Sequence, residues 1–261
     1  MWQDCRGNVT VAVVGATAAC MIIALIFISM TGIYAANQTA DTAASAAAMG
    51  ALRSLRGPML VEAESETNHR LQLFWQEVGA AVSDRVDDWE DSYRSSRQAV
   101  LEAQVPPLTP EEIEAIIDEE VADRRPGKAK AYRTAEVTQR KPVIASELLS
   151  GVALPLDVRV REFLRPDDRG CLIYQVARAN EGTMESAAQG FAGGNSSELE
   201  SVEFRTGSRL EVESKVRIRI RLALYDALLP AERRHLTMTG SAYLDNLVGQ
   251  SISFPAGCRK G

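Results

Sequence analysis

Two histidines in 261 residues, His69 and His235, leave little for metal or acid–base chemistry. Aromatic residues are sparse at 6%. No GxSxG, P-loop, CxxC or HExxH pattern occurs, so nucleophile-elbow hydrolases, phosphate-cradling loops, dithiol redox sites and zincin-type centres are excluded as sequence signatures. The formal net charge is −6, which gives no electrostatic reason to expect a nucleic-acid partner. No charged residue stands between Arg6 and Asp41. That last absence is the most informative one.

The uncharged stretch contains the apolar run VTVAVVGATAACMIIALIFISMTGIY, residues 9–34. As a helix it would extend ~39 Å, more than the ~30 Å hydrocarbon core of a bilayer. A transmembrane helix is therefore expected over 9–34. The competing reading is a secretory signal, kept open by Ala35 and Ala36, but its apolar region is usually ~7–15 residues. A short N-terminus (1–8) and a large C-terminal remainder suggest an N-in orientation, with residues from about 37 onward outside the cytoplasm. Gly15, Ala16, Ala18 and Ala19 form a small-residue stretch inside the span that permits close helix–helix approach.

Nine of the seventeen residues from Ala35 to Ala51 are alanine. Alanine is the best helix former, so the membrane helix is expected to run through 31–52 without a break. Gly57-Pro58 is the first strong break signal. Beyond it, Leu71, Phe74, Trp75, Val78, Val82, Val86, Trp89, Tyr93 and Val100 recur at spacings of mostly three and four, the signature of an amphipathic helix. VPPLTP (105–110) ends it. Thr109 then predicts an N-cap, with Pro110 in the first helical position and Glu112 completing a capping box. RPGK (125–128) stops this helix, and short helical pieces are expected over 128–150.

From about residue 151 the period changes to two. RLEVESKVRIRIRLAL (209–224) places Leu210, Val212, Ser214, Val216, Ile218, Ile220, Leu222 and Leu224 on one face. CLIYQVARA, ESVEFR and HLTMTGSAYL read as further strands, PDDRG (166–170) as a turn, and QGFAGGNSSE (189–198) as a loop. The expected fold class is α+β. Its divisions are a cytoplasmic N-terminus (1–8), a transmembrane helix (9–34), a helical stalk (35–104), a helical connector (105–150) and an antiparallel β-rich extracytoplasmic domain (151–261).

Few residues suggest chemistry. DDWED (87–91) reads as the solvated side of a helix, since the spaced ligands of a calcium loop are missing. Lys215, Arg217, Arg219 and Arg221 form a basic row on one strand face. The row is either simply solvated or docks an acidic surface, such as another subunit or the 111–120 segment. Cys171 and Cys258 lie in the half expected outside the cytoplasm, where a disulfide is permitted; a loop of this length would contribute ~4–5 kcal/mol in the chain-entropy picture. Otherwise they are two independent buried thiols.

Residues 6–52 resemble the N-terminal module of TadE/TadG-like proteins of Flp (Tad) pilus assembly. Arg6-Gly7-Asn8 match the opening of that module, the apolar helix follows, and Gln38, Asp41 and Ala43 to Ala48 match its Ala/Asp-rich tract. LALYDALLP followed by HLTMTGSAYL resembles the closing strands of such proteins. TadE-like pseudopilins carry glutamate five residues after the glycine at the prepilin-peptidase site. Here that position is Ala12, so the uncleaved TadG-like branch fits better. The aspartate often found near the end of the span in that branch is absent around 29–32, as is the DxSxS motif of von Willebrand-type domains. The resemblance implies a non-enzymatic, single-pass, pseudopilin-like protein of the bacterial inner (cytoplasmic) membrane. Its C-terminal domain would be periplasmic or extracellular. It would contact lipid and the protein partners of a pilus or secretion apparatus, or further copies of itself, with no cofactor, metal or nucleic acid. The rival readings are a membrane-tethered ligand-binding, sensor or adhesin module and, less well supported by motifs, an envelope hydrolase.

Overall fold

A computed structural model describes residues 4–104, 106–220, 235–255 and 257–258. The fold is α+β, with eight helices and a small antiparallel sheet among the described residues. The chain divides into two compact units: Met1–Glu62 with Pro166–Gly261, and Ala63–Arg165.

The first unit begins with α1 (Asp4–Ser54), a single helix of 51 residues. The expected continuation through 31–52 is therefore observed. Along its first part apolar side chains stand in the open: Val11 is 72% exposed and Phe27 66%. This is one helix long and apolar enough to cross a membrane. Its hydroxyls suit lipid. Thr17 donates to the Val13 carbonyl (2.7 Å), Ser29 to Leu25 (2.8 Å) and Thr31 to Phe27 (2.8 Å), so none needs an outside partner.

The character of α1 then changes within one turn. Ala40, Ala43, Ala44, Ala47, Ala48 and Ala51 are wholly buried, while Asp41, Thr42, Ser45 and Met49 are exposed. The buried set repeats at spacings of three and one, one face of a helix. That face lies on β2 (Leu210–Arg219) and β3 (His235–Leu244), and beside α8 (Glu181–Gly194). The alanine tract, at the start of the expected helical stalk (35–104), is thus part of the core of this unit. The helix ends at Ser54 because Pro58 follows four residues later and its ring clashes with that carbonyl. The next helix, α2 (Arg56–Glu102), begins almost at once and carries Pro58 in its first turn, where a missing N–H costs nothing. The break therefore falls two residues before Gly57-Pro58.

The sheet has strand order β1-β2-β3, with β1 spanning Glu198–Thr206. As the alternation predicts, Leu210, Val212, Ser214 and Val216 are fully buried toward α1; each of the aliphatic three stabilises by ~1.5–3 kcal/mol. In register, Ser214 faces Gly240 across the strands. The Ser214 hydroxyl donates to the Ala44 carbonyl at 2.6 Å. A β-carbon at Gly240 would fall inside the backbone of Ala44 and Ser45, so only glycine admits this helix–sheet approach. Residues 221–224 of the expected strand, and LALYDALLP with them, lie outside the described residues.

The sequence reading erred most over 151–198. CLIYQVARA is not a strand and PDDRG is not a turn; both belong to α7 (Pro166–Ala179). Pro166 opens it, Asp167 and Asp168 complement the positive end of its dipole, and Leu172, Ile173, Val176 and Ala177 bury a helical stripe. QGFAGGNSSE is mostly the last turns of α8, whose Met184, Ala188 and Ala192 are buried at i, i+4, i+8. Packing overrides the poor helix propensity of its glycines. Residues 151–197, before the strands begin, are accordingly mostly helical.

The second unit is helical: the rest of α2 with α3 (Pro110–Arg124), α4 (Lys128–Thr134), α5 (Pro142–Leu149) and α6 (Leu156–Phe163). Phe74, Val78, Val82 and Val86 of the expected stripe are buried with Ile144, Ala145 and Phe163. Trp75 and Val100 point outward, and Leu101 takes the core position beside Ile113, Ile117 and Val121. The Thr109–Glu112 capping box is formed, with the Glu112 amide donating to the Thr109 hydroxyl at 3.3 Å and the Thr109 amide to the Glu112 carboxylate at 2.9 Å. Arg97 reaches Glu120 through two hydrogen bonds of 2.7 Å, binding α3 to α2.

Gly240→Ala should lose about 1–3 kcal/mol in chemical denaturation, because neither backbone it meets can yield cheaply. Gly207→Ala, where a β-carbon meets open space, should leave the midpoint nearly unchanged.

Candidate functional site

The features that meet the outside fall in the first unit. Gly15, Ala16, Ala18 and Ala19 lie on the exposed part of α1, and nothing approaches within 4 Å of a β-carbon built at Gly15. No described element of the chain covers them. A bare small-residue surface on an apolar helix can accept a second helix at short interaxial distance.

The second feature is the sheet face opposite α1. The pleat sends Lys215, Arg217 and Arg219 to this side, with Thr237, Thr239 and Ser241 of β3 beside them. Arg221 lies outside the described residues. Within the chain, β1 supplies acidic partners for Lys215 and Arg217. Glu198 stands opposite Arg217 in the register, and an irregularity between Leu199 and Ser201 brings Glu200 beside Lys215. Arg217 donates to the Glu198 carboxylate at 2.8 Å, and Lys215 pairs with Glu200 at 3.1 Å. Arg205 of β1 reaches Glu213 at 3.5 Å, completing a cross-strand ladder. The hydrogen bond from Arg217, then its charge, holds the Glu198 carboxyl below the usual range, and the same bond raises Arg217. Arg209 adds a cation–π contact, 3.5 Å from the Tyr243 ring centre. These groups are largely solvated, so each pair contributes modestly.

The third feature pins the C-terminal residues. Cys171 on α7 is disulfide-bonded to Cys258, with α-carbons 5.0 Å apart. The Ser253 amide donates to the Pro166 carbonyl at 3.0 Å, and the buried Arg169 guanidinium donates to the Ser251 carbonyl. Burial lowers the pKa of Arg169 from its ordinary value. Gly170 lets the Ser253 backbone lie directly on the helix. The sequence reading named the cysteines but missed Arg169 and Gly170; the Pro-Asp-Asp helix start was the available signal. Cys20, by contrast, is free and exposed.

His69 is exposed on α2, and His235 opens β3 with its side chain exposed. Asp87, Asp88 and Asp91 of the DDWED segment are exposed on α2. Among the described residues no group of three or more His, Cys, Asp or Glu side chains is placed to hold a metal. No family profile, curated protein or solved structure matches this chain.

The Glu198–Arg217 pair predicts a pH dependence of definite sign. A carboxyl whose folded pKa is depressed contributes stability above its unfolded pKa and loses it as pH falls through the folded value. Glu198→Gln should therefore melt below the parent chain at pH 7, and the two melting curves should converge at pH values well under 4.5, the ordinary carboxyl value. A gap that persists unchanged into acid would assign the loss to packing.

Proposed function

We propose that this chain is a non-enzymatic, single-pass protein of the bacterial cell envelope, TadE/TadG-like, that assembles or anchors a Tad/Flp pilus or a related secretion apparatus. One observation carries the reading. The helix suited to the membrane continues unbroken into the core of a folded unit, so anchor and unit are a single mechanical piece. Arg6-Gly7-Asn8 and the Ala/Asp tract support the family resemblance, and Ala12 at the glutamate position favours the uncleaved branch. The Cys171–Cys258 bond suits an oxidising compartment, which agrees with an N-in orientation and an external C-terminal unit. In this mechanism Gly15, Ala16, Ala18 and Ala19 seat a neighbouring subunit's helix in the bilayer. The charge-paired sheet face stays soluble and resists unwanted edge pairing.

A second reading is a membrane-tethered ligand-binding module. An apolar groove lined by Met49, Phe191 and Val248 is the observation in its favour.

Photocrosslinking amino acids at positions 16 and 19 in living cells test the first reading. The expected result is capture of other pilus-assembly or secretion components, with loss of surface pili in a clean deletion. Unchanged piliation in that deletion would remove the assembly role.

A further inference from the structure

An apolar groove of ≈ 890 Å³ opens in the first unit, where the end of α1 and the start of α2 face α8 and the hairpin of β4 (Asn246–Leu247) and β5 (Gln250–Ser251). That volume lies within the range of small-molecule sites. Three observations show that the groove is constructed. Gly50 has no β-carbon because the Phe191 ring occupies that space, and Phe191 is nevertheless 45% exposed. An aromatic side chain is thus fixed at the groove without being buried by it. Met49, also lining it, is 64% exposed. Val248 occupies the left-handed region (φ 52) in the two-residue hairpin loop with Gly249 (φ 75). Asparagine suits that position and a β-branched residue does not, so local strain is retained where a side chain lines the groove.

Arg53 and Arg56 complete the lining. Both are exposed, and neither pairs with a carboxylate among the described residues. Two guanidinium groups with no carboxylate partner among the described residues, set beside an apolar surface, fit an anionic head on an apolar body. The groove's position narrows the source. Met49 stands fifteen residues after Tyr34 on one helix, ~22 Å along the axis, beyond the head-group layer of a bilayer whose apolar core ends near Tyr34.

We propose that this groove binds a single-chain anionic amphiphile of the fatty-acid type, its acyl chain against Met49, Phe191 and Val248 and its carboxylate on Arg53 and Arg56.

The test uses the full chain in zwitterionic phospholipid nanodiscs, a palmitate analogue with a diazirine in its chain, and mass-spectrometric mapping of adducts. Adducts are expected on the peptides holding Met49, Phe191 and Val248, displaced by unlabelled palmitate. They should fall at least about tenfold in R53Q/R56Q, the loss expected from a single charge-assisted hydrogen bond. The corresponding diazirine alcohol should label those peptides no better than palmitate labels R53Q/R56Q. Val248→Asn relieves the strained turn while removing apolar lining, so it should raise the melting temperature and reduce labelling. Adducts confined to 10–34, equal labelling by the alcohol, or undiminished labelling in a more stable V248N would overturn the proposal. So would a benzoylphenylalanine at position 191 that couples to a second copy or another protein when palmitate is present.

Discussion

The first unit depends on the contact between the alanine face of α1 and the inner face of β2 and β3. A helix normally sits about 10 Å from a sheet because side chains intervene. Here the intervening atoms are methyl groups on the helix and, at the closest point, none on β3. Ala44, Gly240 and Ser214 meet there, and the Ser214 hydroxyl bonds to the Ala44 carbonyl. Such a contact buries little area per residue, but it admits few substitutions. It also fixes α1 in rotation, and so fixes which way the membrane-suited part of the same helix presents its small residues.

One helix therefore satisfies two solvents. Up to Tyr34 its exposed side chains are mostly apolar, and the hydroxyls of Thr17, Ser29 and Thr31 bond to carbonyls four residues back. From Ala40 its buried side chains are mostly methyl groups and its exposed ones, Met49 apart, are polar. Nothing flexible separates the two parts, since α1 is one continuous helix. The Cys171–Cys258 bond and the Arg169, Gly170 and Ser253 contacts hold the C-terminal residues against the same unit, closing a chain that leaves it within α2 and returns at Pro166.

Where local chemistry decides structure, the sequence was readable. The capping box at Thr109, the alternation of 210–218 and the persistence of helix through the alanines all follow from neighbours in the chain. Where packing decides, it was not. Leu-Ile-Tyr-Gln-Val is rich in strand formers, yet it is helical in α7 because Leu172, Ile173, Val176 and Ala177 share a buried face. The glycines of 190–194 read as a loop, yet they end α8 because Ala188 and Ala192 must reach α1. The basic row was visible, but its acidic partners sit on another strand in a register set by an irregularity near Glu200, which no local pattern announces. The groove was invisible for the same reason, being assembled from three stretches distant in sequence, 46–60, 191 and 244–249.

The central claim is that a single helix passes from lipid into a protein core at Ala40. Single-cysteine scanning across positions 10–52, in a background with Cys5 and Cys20 replaced, measures it directly with a membrane-impermeant maleimide on intact membranes. The account predicts protection through the apolar span, and beyond it a helical pattern: positions 40, 43, 44, 47, 48 and 51 protected, positions 41, 42, 45 and 49 labelled. Uniform labelling from 40 to 52 would mean that the tract stands free of the sheet, and would contradict the account.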